Sequence, residues 1–207
     1  MSTPQAMPLA EALAVVHQYR GDAVVITTMG AAREWQTLEP HPKDLVYMPS
    51  SMGQGPPLGL GIAIAQPDQR VIVVNGDGCT LMNLGCLVTI ASQAPKNFTL
   101  VVVDNGVYEV TGGQATIGHP AKRADGQPLK FADLARAAGF TEVYEFDDAE
   151  SFRFEHETLH EPGPVCIVLK TTHQTEDISA RSPGPPTERI QALRAALQSS
   201  GEILIRP

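Results

Sequence analysis

A chain of 207 residues with a formal charge of −8 and 43% hydrophobic residues is long enough to bury a sizeable core and predicts one domain rather than two. Its acidity excludes a general nucleic-acid binder, which needs a basic footprint on phosphates. Cys79, Cys86 and Cys166 are odd in number and form no CxxC pair, which argues against a disulfide framework or a cysteine-rich metal site and suits a cytoplasmic location.

No apolar run approaches a membrane span, and no basic stretch precedes a long apolar one at the start of the chain. Leu9, Leu13 and Val16 recur at helical spacing behind Pro8, and AVVIT at 23–27 reads as a buried strand. Further strands are predicted at 45–48 (LVYM), 71–75 (VIVVN), 98–104 (FTLVVVD) and 165–170 (VCIVLK). Helical segments are expected near 58–66, 82–93, 131–138 and 147–160. A linker over about 179–186, containing SPGPP, leads to a last helix at 187–198. Strands covered on both faces show continuous Val/Ile runs, so the expected fold is α/β: a single doubly wound, mostly parallel sheet with helices on both faces.

In such sheets ligands bind off the carboxyl ends of the strands. Asp77, between Gly76 and Gly78, and Asn105 both fall at such ends. A carboxylate and an amide oxygen are hard donors suited to Mg²⁺, which keeps some of its coordination positions for water and substrate phosphates. The two glycines let backbone approach a phosphate, and a helix starting near Thr80 would offer it free N–H groups. An ordinary reading stands beside this one, because Gly-Asp-Gly is a common turn, Asp a good helix cap and Asn-Gly a routine turn dipeptide.

GDG followed by Asn105 resembles the metal motif of thiamine diphosphate enzymes. Together with VVITTMGAAREW, SSMGQGPPLGLGIAIAQP and PKNFTLVVVDNGVYEVTGGQ it is similar to the diphosphate-binding half of phosphonopyruvate decarboxylase and of the sulfopyruvate decarboxylase beta subunit. The resemblance covers about residues 20–120. It implies thiamine diphosphate and Mg²⁺ as cofactors, with Asp77, Asn105 and the carbonyl of Val107 as metal ligands. It further implies cofactor contacts at Thr27, Thr28, Ser51, Gly53, Gly76, Gly78, Cys79 and Tyr108. Met52 would wedge beneath the bent cofactor, and the carbonyl of Ser50, where the family has Gly, would accept from its 4′-amino group. Cys79 stands where the family has Ser or Ala. Glu109, Thr111 and Gln114 fall in the family's substrate-side loop and are candidate substrate contacts.

In that family a Glu beside the pyrimidine belongs to a different domain. The resemblance therefore implies a separate pyrimidine-binding subunit, a hetero-oligomer, and a small 2-oxo acid as substrate for decarboxylation. A subunit of a thiamine-dependent 2-oxoacid oxidoreductase is an alternative, although no clustered cysteines are present to hold an iron–sulfur cluster. A third reading starts from HETLH at 156–160. On a helix, His156 and His160 would share a face and could bind zinc, with Glu157 as general base of a hydrolase.

Overall fold

The computed structural model describes residues 6–173 and 183–199; residues 179–182 of the expected linker lie outside them. The chain opens with α1 (Leu9–Tyr19), which buries Leu9, Ala12, Leu13, Val15 and Val16 on one face. It is followed by β1 (Val24–Thr28), α2 (Met29–Trp35), β2 (Asp44–Tyr47), α3 (Gly55–Ala65) and β3 (Val71–Gly76). Next come α4 (Asp77–Met82), α5 (Gly85–Gln93), β4 (Phe98–Asp104) and a small hairpin of β5 (Val107–Tyr108) and β6 (Gln114–Ala115). The remainder is α6 (Phe131–Ala138), β7 (Glu142–Phe146), α7 (Ala149–Phe154), β8 (Val165–Lys170) and α8 (Pro186–Ser199).

Six strands form one parallel sheet in the order β2-β1-β3-β4-β8-β7. Alternate residues of each strand face opposite sides. Val25, Ile72, Val101 and Ile167 pack with Leu13, Trp35 and Phe152 from α1, α2 and α7. Val24, Ile26, Val73, Val102 and Val168 pack with Leu60, Ile90 and Ala135 from α3, α5 and α6. Both faces are covered, which is why these strands read as continuous apolar runs. The order reverses between β1 and β3, which makes the carboxyl ends of those neighbours the switch point where a crevice opens.

Several elements differ from expectation. The segment predicted as one helix over 82–93 is two, α4 and α5, interrupted at Asn83 and Leu84. The helix expected at 147–160 ends at Phe154, and residues 156–160 form a 3₁₀ turn. α2 and the hairpin β5–β6 were not anticipated, being only 7 residues and 2 residues per strand long. β7 is an edge strand, EVYEF, whose glutamates break the apolar run that marks a buried strand.

Gly59 sets how closely α3 lies on the sheet. A Cβ there would fall 2.2 Å from Val73 Cγ2 and 3.1 Å from Phe98 Cε2, both in the core. Gly59→Ala is therefore expected to destabilise the fold by about 1–3 kcal/mol through overpacking, read as a lower urea midpoint with an unchanged slope.

Candidate active site

A cleft opens at the switch point. Its floor is Thr28 at the end of β1, Gly76 and Asp77 at the junction of β3 and α4, and Val103 and Asn105 at the end of β4. Its walls include Met29, Met52, Met82, Cys79 and Tyr108, and Glu109, Val110 and Thr111 from a 3₁₀ turn after β5 line one end.

Asp77 is the first residue of α4, where Thr80 had been expected near the start, and it follows Gly76 held extended at φ −72° and ψ 156°. The strand thus runs straight into the helix and leaves the carboxylate 2% exposed. Thr116 Oγ1 donates to Asp77 Oδ2 at 3.3 Å, and the N–H groups of Gly78 and Gly106 also donate to it. No cation is among these partners. Burial, and then the negative charge of Asp104, push the Asp77 carboxyl up to about 7 against those hydrogen bonds. Asp104 itself pairs with Lys170 from β8, which leaves Asp77 as the uncompensated buried acid. A buried carboxylate of this kind either holds a proton or gains from a cation brought beside it.

Asn105 begins the turn that brings the chain back over the cleft. Its Oδ1 accepts from the Val107 N–H at 3.0 Å, Gly106 sits at φ +72°, and the Thr116 N–H donates to the Gly106 carbonyl at 2.8 Å. Tyr108 then lies flat on the helix start: a Cβ on Gly78 would be 2.6 Å from two of its ring carbons. The second glycine of GDG is thus required by packing, whereas Gly76 meets nothing within 4 Å.

The other candidate residues divide by position. Thr28 lines the cleft, but its hydroxyl is engaged with Asn75 Oδ1 at 3.0 Å and the Val74 carbonyl at 3.3 Å. Thr27 is fully buried outside the cleft wall, with a hydroxyl that finds no partner. Met52 reaches the cleft; Ser50, Ser51 and Gly53 lie behind it in the same turn, and Ser50 Oγ points to Met29 Sδ at 3.9 Å. Gly53, at φ +82°, abuts the Cys79 carbonyl. Cys79 lines the cleft, and burial raises its thiol pKa, so it is a neutral small side chain there. Glu109 faces the cleft with its carboxylate packed on Gly30 and 3.3 Å from His173 Nδ1. Thr111 also lines it, while Gln114 is bonded back to Thr111 through Oε1 and Nε2 at 2.9 and 2.7 Å and does not.

Met29, Met82 and Thr116 were missed from sequence. Met29 adopts φ +50°, unusual for a side-chain-bearing residue, and no local pattern marks it. Thr116 meets Asp77 across 39 residues of chain.

The zinc reading is corrected. Residues 156–160 form a 3₁₀ turn, in which side chains four apart do not share a face. His156 stacks on Tyr19 and bonds the Arg153 carbonyl at 3.0 Å, and His160 bonds the Tyr19 carbonyl at 2.6 Å. Among the described residues, no three His, Cys, Asp or Glu side chains are grouped to hold a metal.

A doubly wound sheet whose switch-point cleft sets a buried carboxylate and an asparagine at a glycine-flanked helix start defines a domain that takes a phosphorylated cofactor. Residues 23–169 match the thiamine pyrophosphate enzymes in their C-terminal TPP binding domain, and the chain belongs to that family. It is 45% identical over 198 residues to the phosphonopyruvate decarboxylase of Streptomyces hygroscopicus, covering 87% of this chain and 47% of that one. It is 38% identical over 145 residues to the sulfopyruvate decarboxylase subunit beta of Methanothermobacter thermautotrophicus, covering 70% and 71%. The chain thus spans less than half the length of the phosphonopyruvate decarboxylases it matches, 42% for that of Streptomyces viridochromogenes. In fold it is like the thiamine diphosphate-dependent 4-hydroxybenzoylformate decarboxylase of Rhodococcus jostii RHA1, with a TM-score of 0.63 at 20% identity over 85% of this chain and 34% of that one.

The protonation of Asp77 gives a pH signature. Its carboxyl binds a proton more tightly in the fold, near 7, than in the unfolded chain, near the ordinary 3.8. Its contribution is therefore destabilising, growing as pH rises from about 4 to 7. Asp77→Asn is expected to stabilise the metal-free chain at pH 8 by roughly 1–4 kcal/mol and to change little at pH 4, measured by urea denaturation. Thr116→Val should move the Asp77 carboxyl titration still higher in an NMR pH series, because a donor to the ionised form is lost. Thr116→Ser should keep it near the wild-type value.

Proposed function

We propose that this chain is the diphosphate-binding subunit of a thiamine diphosphate-dependent decarboxylase acting on a small 2-oxo acid of the sulfopyruvate or phosphonopyruvate type. A separate pyrimidine-binding subunit supplies the activating Glu, and the whole of this chain serves as one cofactor domain in a cytoplasmic hetero-oligomer. The observation that carries the reading is Asp77: a buried carboxylate with no cationic partner among the described residues, beside Asn105, at the mouth of a helix. Among the described residues no helix is long and apolar enough to cross a membrane.

The donors suit Mg²⁺. Asp77, Asn105 Oδ1 and the Val107 carbonyl are hard oxygens, and they leave room in an octahedral shell for diphosphate oxygens and water. When bound, thiamine diphosphate would supply the electron sink that makes loss of CO₂ from a 2-oxo acid feasible. The protein's part is placement. The open backbone at Gly76 admits the diphosphate, Asp77 offsets the metal's charge, and the Met52 thioether supports a bent, ring-bearing ligand from below. Tyr108 and Val110 shield one side from water, and Glu109 and Thr111 offer polar contacts at the substrate end. The relatives named beta subunits support a partner.

The oxidoreductase alternative draws on likeness in fold to the 2-oxoglutarate:ferredoxin oxidoreductase of Magnetococcus marinus, with a TM-score of 0.59 at 15% identity over 90% of this chain and 73% of that one. It would require the partner to carry the redox centre, since Cys79, Cys86 and Cys166 are free, buried and separate.

Purified chain alone is expected to release no CO₂ from 2-oxo acids and to bind thiamine diphosphate weakly. Adding the pyrimidine-binding subunit should restore both, and a Glu→Gln change in that partner should abolish turnover again. In the assembled protein with Mg²⁺, Asp77→Ala should weaken thiamine diphosphate binding at least tenfold, about 1.4 kcal/mol by calorimetry. Unchanged affinity would remove Asp77 from the metal site, and full turnover by the chain alone would remove the need for a partner. His156→Ala with His160→Ala should leave cofactor binding intact.

A further inference from the structure

We propose that His173 is a positioning residue of the cleft: it pins the Glu109 carboxylate against Gly30 and takes up part of its charge, so that the substrate end admits an anionic 2-oxo acid; this rests on the reading above. The need comes from the charges in the cleft. Among the described residues that line it, the acids are Asp77 and Glu109, and no Lys, Arg or His is with them. On that reading Asp77 faces the metal, whereas Glu109 stands at the end where the acid enters. Two carboxylates brought together in a cleft poorly reached by water repel each other. A carboxylate at that end suits an anionic substrate only when a second group shares its charge and fixes where its oxygens point.

The end of β8 brings that group. The chain runs on beyond Lys170 and is tied on both sides: the Thr171 N–H donates to the Asp104 carbonyl at 3.0 Å, and the Thr172 N–H donates to the Met7 carbonyl at 2.9 Å. The next residue, His173, therefore leaves the sheet at the carboxyl edge that also carries Asp77 and Asn105. Its Nδ1 lies 3.3 Å from Glu109 Oε1. A carboxylate only accepts, so Nδ1 carries the proton of this bond in the neutral ring as in the cationic one. The His173 side chain is 37% exposed and that of Glu109 16%, which makes the carboxylate the inner member of the pair and the imidazole the outer one.

Two glycines leave the space that the pair fills. A Cβ on Gly30, in the first turn of α2, would fall 2.3 Å from Glu109 Oε2, so the second carboxylate oxygen sits where a side chain would be. Gly113, at φ +75°, lies in the turn that follows Glu109, and a Cβ there would come 3.2 Å from His173 Nε2. Glu109 belongs to the segment after β4, yet one of its oxygens rests on the residue pair that ends β1 and begins α2, and the other on the end of β8. Three strand ends thus converge on one carboxylate. Exposed ion pairs add little to stability, so bracing the fold does not account for a pair set at the cleft wall with glycine on either side.

The test compares His173→Ala, His173→Asn and Glu109→Gln. In the free chain the amide signal of Gly30, followed by NMR, reports where the carboxylate sits. His173→Ala should move that signal, and His173→Asn, which keeps an N–H donor, should bring it back toward the wild-type position. In the protein assembled with its pyrimidine-binding subunit, thiamine diphosphate and Mg²⁺, His173→Ala should raise KM for sulfopyruvate roughly tenfold or more and change kcat by less than about threefold, with calorimetric cofactor affinity and thermal midpoint as in wild type. His173→Asn should recover most of the loss. Added to Glu109→Gln, which removes the charge, His173→Ala should raise KM no further. A Gly30 signal unmoved by His173→Ala would overturn the proposal, as would an unchanged KM or an equal rise in KM in the Glu109→Gln background. A lowered thermal midpoint with wild-type kinetics would overturn it too and assign the pair to folding. If the wild-type assembly decarboxylates neither sulfopyruvate nor phosphonopyruvate, the reaction above is wrongly assigned and the anionic acid falls with it, and the Gly30 signal alone decides whether His173 holds Glu109.

Discussion

The constraint on which the rest of this structure turns is the burial of one ionisable carboxylate where a strand becomes a helix. β3 runs straight into α4 with no loop between them, which sets Asp77 at the floor of a crevice between parallel strands, 2% exposed. Taking that charge out of water is costly without a cation, and the described residues offer it a hydroxyl and two N–H groups. Lys170 pairs with Asp104, the acid whose charge bears on Asp77. The domain is thus folded around a buried carboxylate whose ionisation is opposed by its surroundings.

The parts around Asp77 close over it from several segments of the chain. The turn through Asn105 and Gly106 returns the chain so that Thr116 reaches the carboxylate and Tyr108 covers Gly78. On the other side the clasp between Asn83 and Gly53 holds the Met52 and Met82 rims together. These contacts tie three segments far apart in sequence to a single helix start. A change in any of them alters the surroundings of Asp77 without touching it, and Gly78 has no room for a side chain because the Tyr108 ring lies against it.

The cleft has a floor of hard oxygens and walls of thioether and aromatic carbon, and it opens onto two helices without a charged residue.

Much of this was legible in the sequence. Uninterrupted Val and Ile runs marked β1, β3, β4 and β8, because strands buried on both faces need apolar residues at every position. GDG and Asn105 were legible as a pair because each ends such a run, so a parallel sheet must place them on one edge. Elements without a local periodic signal were not legible: α2 and the hairpin are too short, and β7 is an edge strand with glutamates in it. HETLH showed the opposite error, since a helical spacing was present but the chain adopted a 3₁₀ turn there, with both imidazoles engaged by carbonyls. Sequence by itself determined the α/β class, the buried strands and the placing of Asp77 and Asn105 at strand ends, because those depend on composition and spacing along the chain. Only the tertiary structure decided that Asp77 is buried without a cation, that Thr116 and not Thr27 reaches the site, and that Met29, Met52 and Met82 wall one cleft. Each of those depends on contacts between segments many residues apart, which no local pattern encodes.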